Sequence, residues 1–150
     1  MQALVLSLPT RNSTIRMRVW RALKDAGCGV LRDGVYVLPA ASAGGAVLAA
    51  MESEVRAAGG FAMVLELRLK TAAQRAQVRK LFDRSTEYGT LVRDAGAAKA
   101  AVPRLGPRKA KTALQRLRRS FDWLAQVDFY PGQAKRQAGE ALTALERRVR

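Results

Sequence analysis

The chain has 150 residues, 49% of them apolar and 26% charged, which is enough for one domain with a core and too apolar for a disordered protein. It carries 27 Lys and Arg against 12 Asp and Glu, and this net charge of +15 indicates an anionic partner: nucleic acid, an anionic membrane surface or an acidic protein. With no histidine and one cysteine, zinc sites built from these residues and an intramolecular disulfide are excluded, and we expect a cytoplasmic protein without metal.

The sequence opens with an uninterrupted apolar run from Gln2 to Leu8, the pattern of a strand buried on both faces, and Pro9 ends it. The run is too short for a membrane span, and no basic region precedes it as in a signal peptide. A helix is predicted next. Asn12 or Ser13 can cap its first turn, apolar residues then recur every three or four positions, and Gly27 ends it.

Residues 29–39 predict a β-hairpin, because two short apolar runs flank Asp33-Gly34. Asp-Gly suits the positive φ angles of a type I′ turn, so we expect that turn here. A second amphipathic helix is predicted from Ser42 to the Gly59-Gly60 pair, and residues 61–69 predict a fourth strand.

The order of these elements over residues 1–70, βαββαβ, predicts a ferredoxin-like domain and an α+β fold class. Right-handed crossovers place both helices on one face of an antiparallel sheet. Because the strands are apolar on both sides, we expect downstream helices or a second copy of the chain to cover the other face.

Residues 71–150 predict a basic α-helical extension of three or so helices, packed on the first domain. An apolar stripe begins at Val78 and runs for about 25 residues, with Gly89 as the candidate break. Pro107 suits the first turn of the next helix, and DFYPG at 128–132 separates that helix from a last basic one.

The densest positive charge lies in RKAKTALQRLRRSFDW, residues 108–123, whose apolar residues keep step with a helix. A solvated helix usually interleaves Glu with Lys, because like charges four residues apart destabilise it by about 0.2–0.5 kcal/mol per pair. Here only Asp122 opposes the cations, and a phosphate backbone would neutralise them. The alternative is a merely soluble helix face. The candidate DNA-binding residues are Arg108, Lys109, Lys111, Arg116, Arg118 and Arg119.

A second cluster of candidate site residues surrounds the start of the first helix, where free backbone N–H groups suit an oxyanion. The alternative, that the polar residues here only cap the helix, explains such residues more often. The residues of this candidate oxyanion site are Arg11, Ser13, Thr14 and Arg16.

No pattern in the sequence indicates an enzyme. It contains no phosphate-binding loop, dinucleotide-binding motif or catalytic triad, so no catalytic residue is predicted, and Cys28 is interpreted as a small buried hydrophobe. Among the aromatic residues, Tyr36 alone is a candidate stacking surface for nucleic acid. The others are predicted to be core residues: Trp20, Phe82, Tyr88, Phe121, Trp123, Phe129 and Tyr130.

Three segments carry a resemblance to a known family: LVLSLPTRNSTIRMRVWRALKDAGCGVLRDGVYVLP, LFDRSTEYGTL and FDWLAQVDFYPG. Together they resemble the N-terminal region of the ChrB chromate-resistance proteins over nearly the whole chain. The most specific pieces are SLPT followed by R-x-x-x-W-R-x-L-K, the hairpin GVLRDGVYVLP and the DFYPG connector. The resemblance implies a chromate-responsive transcriptional regulator, in which a second, C-terminal domain follows the region seen here.

The first 70 residues are also similar in layout to the central domain of PaaX-type repressors and to the small dimeric CRISPR spacer-integration subunit, which are both ferredoxin-like. In that CRISPR family the first strand ends in a metal-binding Asp. Here it ends in Ser7-Leu8-Pro9, so metal-dependent nuclease activity is not implied.

Charge and resemblance together predict a DNA-binding transcriptional regulator module of a chromate-resistance operon. We expect a homodimer whose helical extension contacts the phosphates of double-stranded promoter or operator DNA, with chromate as a candidate effector and no other cofactor. We expect no membrane partner. The alternative is a dimerisation or interaction module that binds no DNA and positions a separate chromate-sensing domain.

Overall fold

The computed structural model describes residues 1–11 and 13–150; Asn12, one of the two predicted caps, lies outside the described residues. The described residues form four strands, six α-helices and a short 3-10 turn at Val102–Arg104. In chain order these elements are β1 (Gln2–Ser7), α1 (Ser13–Asp25), β2 (Gly29–Arg32), β3 (Val35–Leu38), α2 (Gly45–Ala57), β4 (Phe61–Glu66), α3 (Ala72–Lys80), α4 (Ser85–Ala101), α5 (Pro107–Gln126) and α6 (Gln133–Val149).

The described chain divides into two compact units, Met1–Phe82 and Asp83–Arg150. The first unit holds the sheet with α1, α2 and α3, and the second holds α4, α5 and α6. Four α-helices therefore follow the sheet along the described chain, where three or so were predicted. The predicted domain boundary at residue 70 and the packing of the extension on the first domain stay predictions.

The four strands form one antiparallel sheet in the order β2-β3-β1-β4. β1 pairs with both neighbours in continuous register, so that Leu4 lies opposite Tyr36 of β3 and Val64 of β4. β2 and β4 are the two edge strands. The predicted α+β class is confirmed.

The two faces of the sheet are covered to different extents. α2 packs on β1 and β4 through Leu48, Met51 and Val55, and Leu4 is completely buried. On the opposite face, a Cβ added to Gly29 would lie only 2.9 Å from Leu81 Cβ, so the chain after α3 covers that end of the sheet. The β4 end of the same face stays open, because three side chains that alternate along the strand are exposed: Phe61, Met63 and Leu65.

The predicted hairpin at residues 29–39 is confirmed, but the prediction of a type I′ turn is wrong. That turn needs a positive φ at both central residues. Gly34 has a φ of 78°, whereas Asp33 is not among the described residues with positive φ. The register skips Leu31, because Val30 lies opposite Tyr36 and Arg32 opposite Val35. This β-bulge increases the local twist of the strands. The hairpin therefore closes with a bulge beside the turn and without the type I′ geometry.

The second unit is a bundle in which α4, α5 and α6 pack against one another. Its core includes Leu91, Leu117 and Leu142, and the rings of Tyr88 and Phe121 lie 5.9 Å apart at a tilt of 57°. The helical region breaks between α3 and α4, at residues 81–84, and not at Gly89, which lies inside α4. In the part of the chain that the structure describes, no helix combines the length and apolar character needed to span a bilayer.

Candidate functional site

α5 carries the six basic residues that the sequence marked as candidates for binding DNA. Gly106 precedes the helix in an extended conformation and Pro107 occupies its first turn, where a missing N–H costs nothing. Buried Ala110, Leu117 and Leu124 recur every seven residues on one side of the helix, and Leu117 and Leu124 pack in the core with residues of α4 and α6. The polar remainder of the helix is exposed to solvent.

Four of the six cations lie along one side of α5, and we call them the basic flank: Arg108, Lys109, Arg116 and Arg119. Arg119 lies one turn after Arg116, and Lys109 lies two turns before Arg116 on the same side. All four residues are exposed. Among the described residues none of them has an ion-pair partner, so the protein leaves this charge unneutralised.

Arg118 and Lys111 lie on the other side of α5, seven residues apart. The Arg118 guanidinium bonds to the Glu146 carboxylate of α6, which also accepts a hydrogen bond from Arg150 Nη2 at 3.2 Å. These bonds, that of Arg150 first, hold the pKa of Glu146 below its usual range. Arg118 therefore holds α5 to α6, and the structure separates it from the basic flank.

An open cavity of about 670 Å³ lies between α4 and α5, beside the basic flank. Arg116 lines it and also lines a neighbouring cavity of about 490 Å³ with Arg108 and Lys109, so the flank borders both cavities. The lining of the larger cavity combines apolar, aromatic and charged side chains: Glu87, Thr90, Leu91, Asp94, Arg116, Leu117, Arg119, Ser120, Trp123 and Leu124.

The predicted oxyanion site at the start of α1 is only partly assembled. Arg16 lines a cavity of about 360 Å³ together with Ser7, Tyr36 and the acidic Asp33, and its Nη2 lies 3.5 Å from the Leu8 carbonyl oxygen. The other predicted residues of this site do not line that cavity, although all of them are exposed: Arg11, Ser13 and Thr14.

No group of three or more potential metal ligands occurs within residues 1–11 and 13–150. Cys28 is half-buried, and burial raises the pKa of its thiol to about 12, so the reactive thiolate is scarce at neutral pH. The prediction that the protein is not an enzyme stays a prediction.

The prediction that Trp20, Trp123 and Tyr130 are core residues is wrong, because all three are exposed. Trp123 is the most informative case, since it lines the α4–α5 cavity with 40% of its surface exposed. Its position seven residues after Arg116 could have shown this, because that spacing places it on the charged side of α5. Its neighbour Leu124 occupies the core.

Comparison with known proteins gives a family for this chain. The model of the family described as "Protein ChrB, N-terminal" matches residues 16–150. A curated relative, Protein ChrB of Cupriavidus metallidurans, is 35% identical over 135 residues. That alignment covers 90% of this chain and 42% of the relative, so the chain spans less than half of the relative's length. No solved structure gives a significant match.

Proposed function

Because the chain belongs to the ChrB family and matches the N-terminal region of that family's proteins, we propose that it is the DNA-binding module of a transcriptional regulator of chromate resistance. In this proposal the module is cytoplasmic and regulatory, with no catalytic role. Its partner is double-stranded promoter or operator DNA.

The observation that carries the proposal is the unneutralised charge of the basic flank. Four exposed cations with no ion-pair partner among the described residues lie on one side of a 20-residue helix. Placing them against DNA phosphates relieves their mutual repulsion and releases counterions, which supplies most of the affinity that does not depend on sequence. Phosphate contacts position the protein on the duplex, and separate base contacts select the operator.

The proposal includes a ferredoxin-like fold for residues 1–70, supported by the element order βαββαβ and the sheet order β2-β3-β1-β4. It also includes a homodimer. The open end of the sheet at β4, with exposed Phe61, Met63 and Leu65, is the apolar surface that a second copy would cover.

Chromate enters the proposal as an effector of the regulator. A tetrahedral dianion prefers guanidinium groups and free backbone N–H groups, and Arg16 with its cavity is the part of the predicted oxyanion site that supports this role. Titration calorimetry with chromate and with sulfate should give heats of binding that Arg16→Gln abolishes. Identical heats from the variant would remove Arg16 from the proposal.

A second candidate function is a dimerisation or interaction module that binds no DNA and positions a separate chromate-sensing domain. The specific observation that favours it is the same exposed apolar edge of the sheet, which would serve such a module equally well. Under this alternative the basic charge serves only solubility.

The experiment is a fluorescence-anisotropy titration of a labelled promoter duplex and a scrambled duplex at several salt concentrations. Four phosphate contacts predict an affinity that falls on the order of a hundredfold between 50 and 200 mM monovalent salt. The promoter duplex should bind more tightly than the scrambled one. The second candidate would be favoured by an affinity for DNA that does not change with salt concentration. It would also be favoured if neither duplex binds while the protein still dimerises.

A further inference from the structure

The cavity between α4 and α5 has an apolar floor and a polar rim. Leu117 and Leu124 of α5 form the floor together with Leu91 of α4, and all three are buried. At about 670 Å³ the cavity has ample room for a flat heteroaromatic ring. It borders the basic flank through Arg116 and Arg119, which lie on its α5 side.

Trp123 gives this cavity an aromatic wall. The residue is 40% exposed and lines the cavity from the charged side of α5. Because every nucleobase has a π-face, an exposed aromatic side chain beside a basic groove is a stacking surface for a base. Arg119 lies one turn before Trp123, so a phosphate held by this guanidinium would carry its base towards the indole.

The α4 side of the rim is rich in hydrogen-bond acceptors. Asp94 has no ion-pair partner among the described residues, and Glu87 is bound by Arg84 Nη1 at 3.4 Å. Thr90 Oγ1 donates to the Thr86 carbonyl at 3.2 Å and accepts from Arg93 Nη2 at 3.1 Å. Across the rim, on α5, Ser120 Oγ donates to a backbone carbonyl of its own helix at 3.2 Å, which leaves this oxygen as an acceptor. Carboxylates repel a phosphate but accept hydrogen bonds from the amino groups of bases.

We propose that this cavity holds one unstacked nucleobase with an exocyclic amino group, stacked on Trp123, while Arg116 and Arg119 bind the adjacent phosphates. This inference rests on the proposed function and adds a base contact to its phosphate contacts. Unstacking a base from a duplex costs a few kcal/mol, and an already unpaired base avoids that cost. A duplex with one bulged base should therefore bind more tightly than a perfect duplex of the same length, and a single strand should place one of its bases in the same cavity.

The test uses Trp20→Phe, which leaves Trp123 as the one tryptophan, so that its emission reports on this cavity. Labelled 12-mers of dC, of dT and of an abasic backbone are titrated at fixed salt. We expect quenching by oligo-dC and affinity about tenfold above the abasic strand, as one stacked base contributes. Oligo-dT lacks the amino group and binds more weakly than oligo-dC.

Two variants separate a base contact from a structural role. In the Trp20→Phe protein, Trp123→Leu should bring oligo-dC down to the affinity of the abasic strand and leave abasic binding unchanged. Asp94→Asn replaces an acceptor by a group that can also donate, and it should shift preference from oligo-dC towards oligo-dT. A free mononucleotide that quenches Trp123 as well as the 12-mers do would overturn the assignment to a polynucleotide.

Failure of this inference differs from failure of the proposed function. Every strand could bind with the expected salt dependence while Trp123 emission does not change on binding and Trp123→Leu binds oligo-dC as tightly as its Trp20→Phe parent. In that case the base contact is wrong and the phosphate contacts stand. If no strand or duplex binds at any salt concentration, the proposed function is wrong, and the base contact is wrong with it.

Discussion

At the scale of single residues, Tyr88 and Asp128 form a buried polar pair that joins α4 to the DFYPG connector. The Tyr88 hydroxyl donates to Asp128 Oδ2 at 3.0 Å, and Asp128 Oδ1 accepts from the Tyr130 N–H at 3.3 Å. Burial first, and then the bond to Asp128, raises the pKa of Tyr88, so the hydroxyl remains a donor throughout the neutral range. The connector is therefore fixed to the bundle by a side chain 40 residues away.

Tyr88→Phe removes the donor and leaves a buried carboxylate oxygen without it. We expect the free energy of unfolding, measured by urea denaturation, to fall by about 1–3 kcal/mol. Tyr36→Phe is the matched control, because no hydrogen bond to the Tyr36 hydroxyl occurs within the described residues, and its effect should stay within about 0.5 kcal/mol. Equal effects of the two substitutions would show that the Tyr88 bond does not stabilise the bundle.

The Cys28 thiol gives a second prediction at this scale. Its pKa of about 12, raised by burial from 9.0, lowers the thiolate fraction at pH 8. Because the thiolate is the nucleophile, native protein should react with a thiol reagent roughly 100- to 1,000-fold more slowly than urea-unfolded protein. The measurement is the rate of modification in each state. A native rate close to the unfolded one would place Cys28 in open solvent.

At the scale of elements, α5 shows what the sequence could predict and what it could not. The 3.6-residue period and Pro107 predicted the helix and its start correctly, because both depend on local geometry. The bond from Arg118 to Glu146 links residues 28 positions apart, and no periodicity in the sequence reports such a contact. The sequence therefore showed that six basic residues lie on one helix. Only the folded structure shows that four of them form the basic flank while Arg118 binds Glu146.

The break between α3 and α4 was misplaced for a physical reason. Glycine lowers helix stability by about 1 kcal/mol without ending a helix, so Gly89 stays inside α4. α4 begins where the Asp83 carboxylate accepts a hydrogen bond from the Ser85 N–H at 2.9 Å. α3 begins with a capping box between Thr71 and Gln74. Polar residues that satisfy free N–H groups decided these helix starts.

Asp83 makes the start of α4 sensitive to pH. The bond from Ser85 holds the pKa of Asp83 below its usual range, so the stabilisation is present above the unfolded pKa and is lost as pH falls through the folded one. We expect the melting temperature of the wild type to fall between about pH 4 and pH 2 by more than that of Asp83→Asn. Parallel pH profiles of the two proteins would exclude this contribution.

At the scale of the whole molecule, the sequence predicted the α+β class correctly, whereas the anionic partner that its charge indicates stays a prediction. It did not predict which apolar strand residues stay exposed, because alternation alone does not show whether another element covers a face. Phe61 and Gly29 illustrate this, since they lie on one face of the sheet and only the Gly29 end is covered. Tertiary contacts decide that difference.

The net charge of +15 is spread over both units, so a test of the DNA-binding proposal must separate position from total charge. Two triple variants do this, because each removes three positive charges. The first combines Arg108→Gln, Arg116→Gln and Arg119→Gln and removes three of the four cations of the basic flank. The control replaces exposed cations of the first unit by Gln: Arg21, Arg32 and Lys80.

The most direct measurement is the slope of log affinity for duplex DNA against log salt concentration, taken for the unaltered protein and for both variants. Each lost phosphate contact reduces the slope by about 0.9, so the flank variant should lose nearly three units of slope and the control almost none. If the two variants instead bind DNA alike, with the same slope, then α5 is not where this protein meets the phosphate backbone.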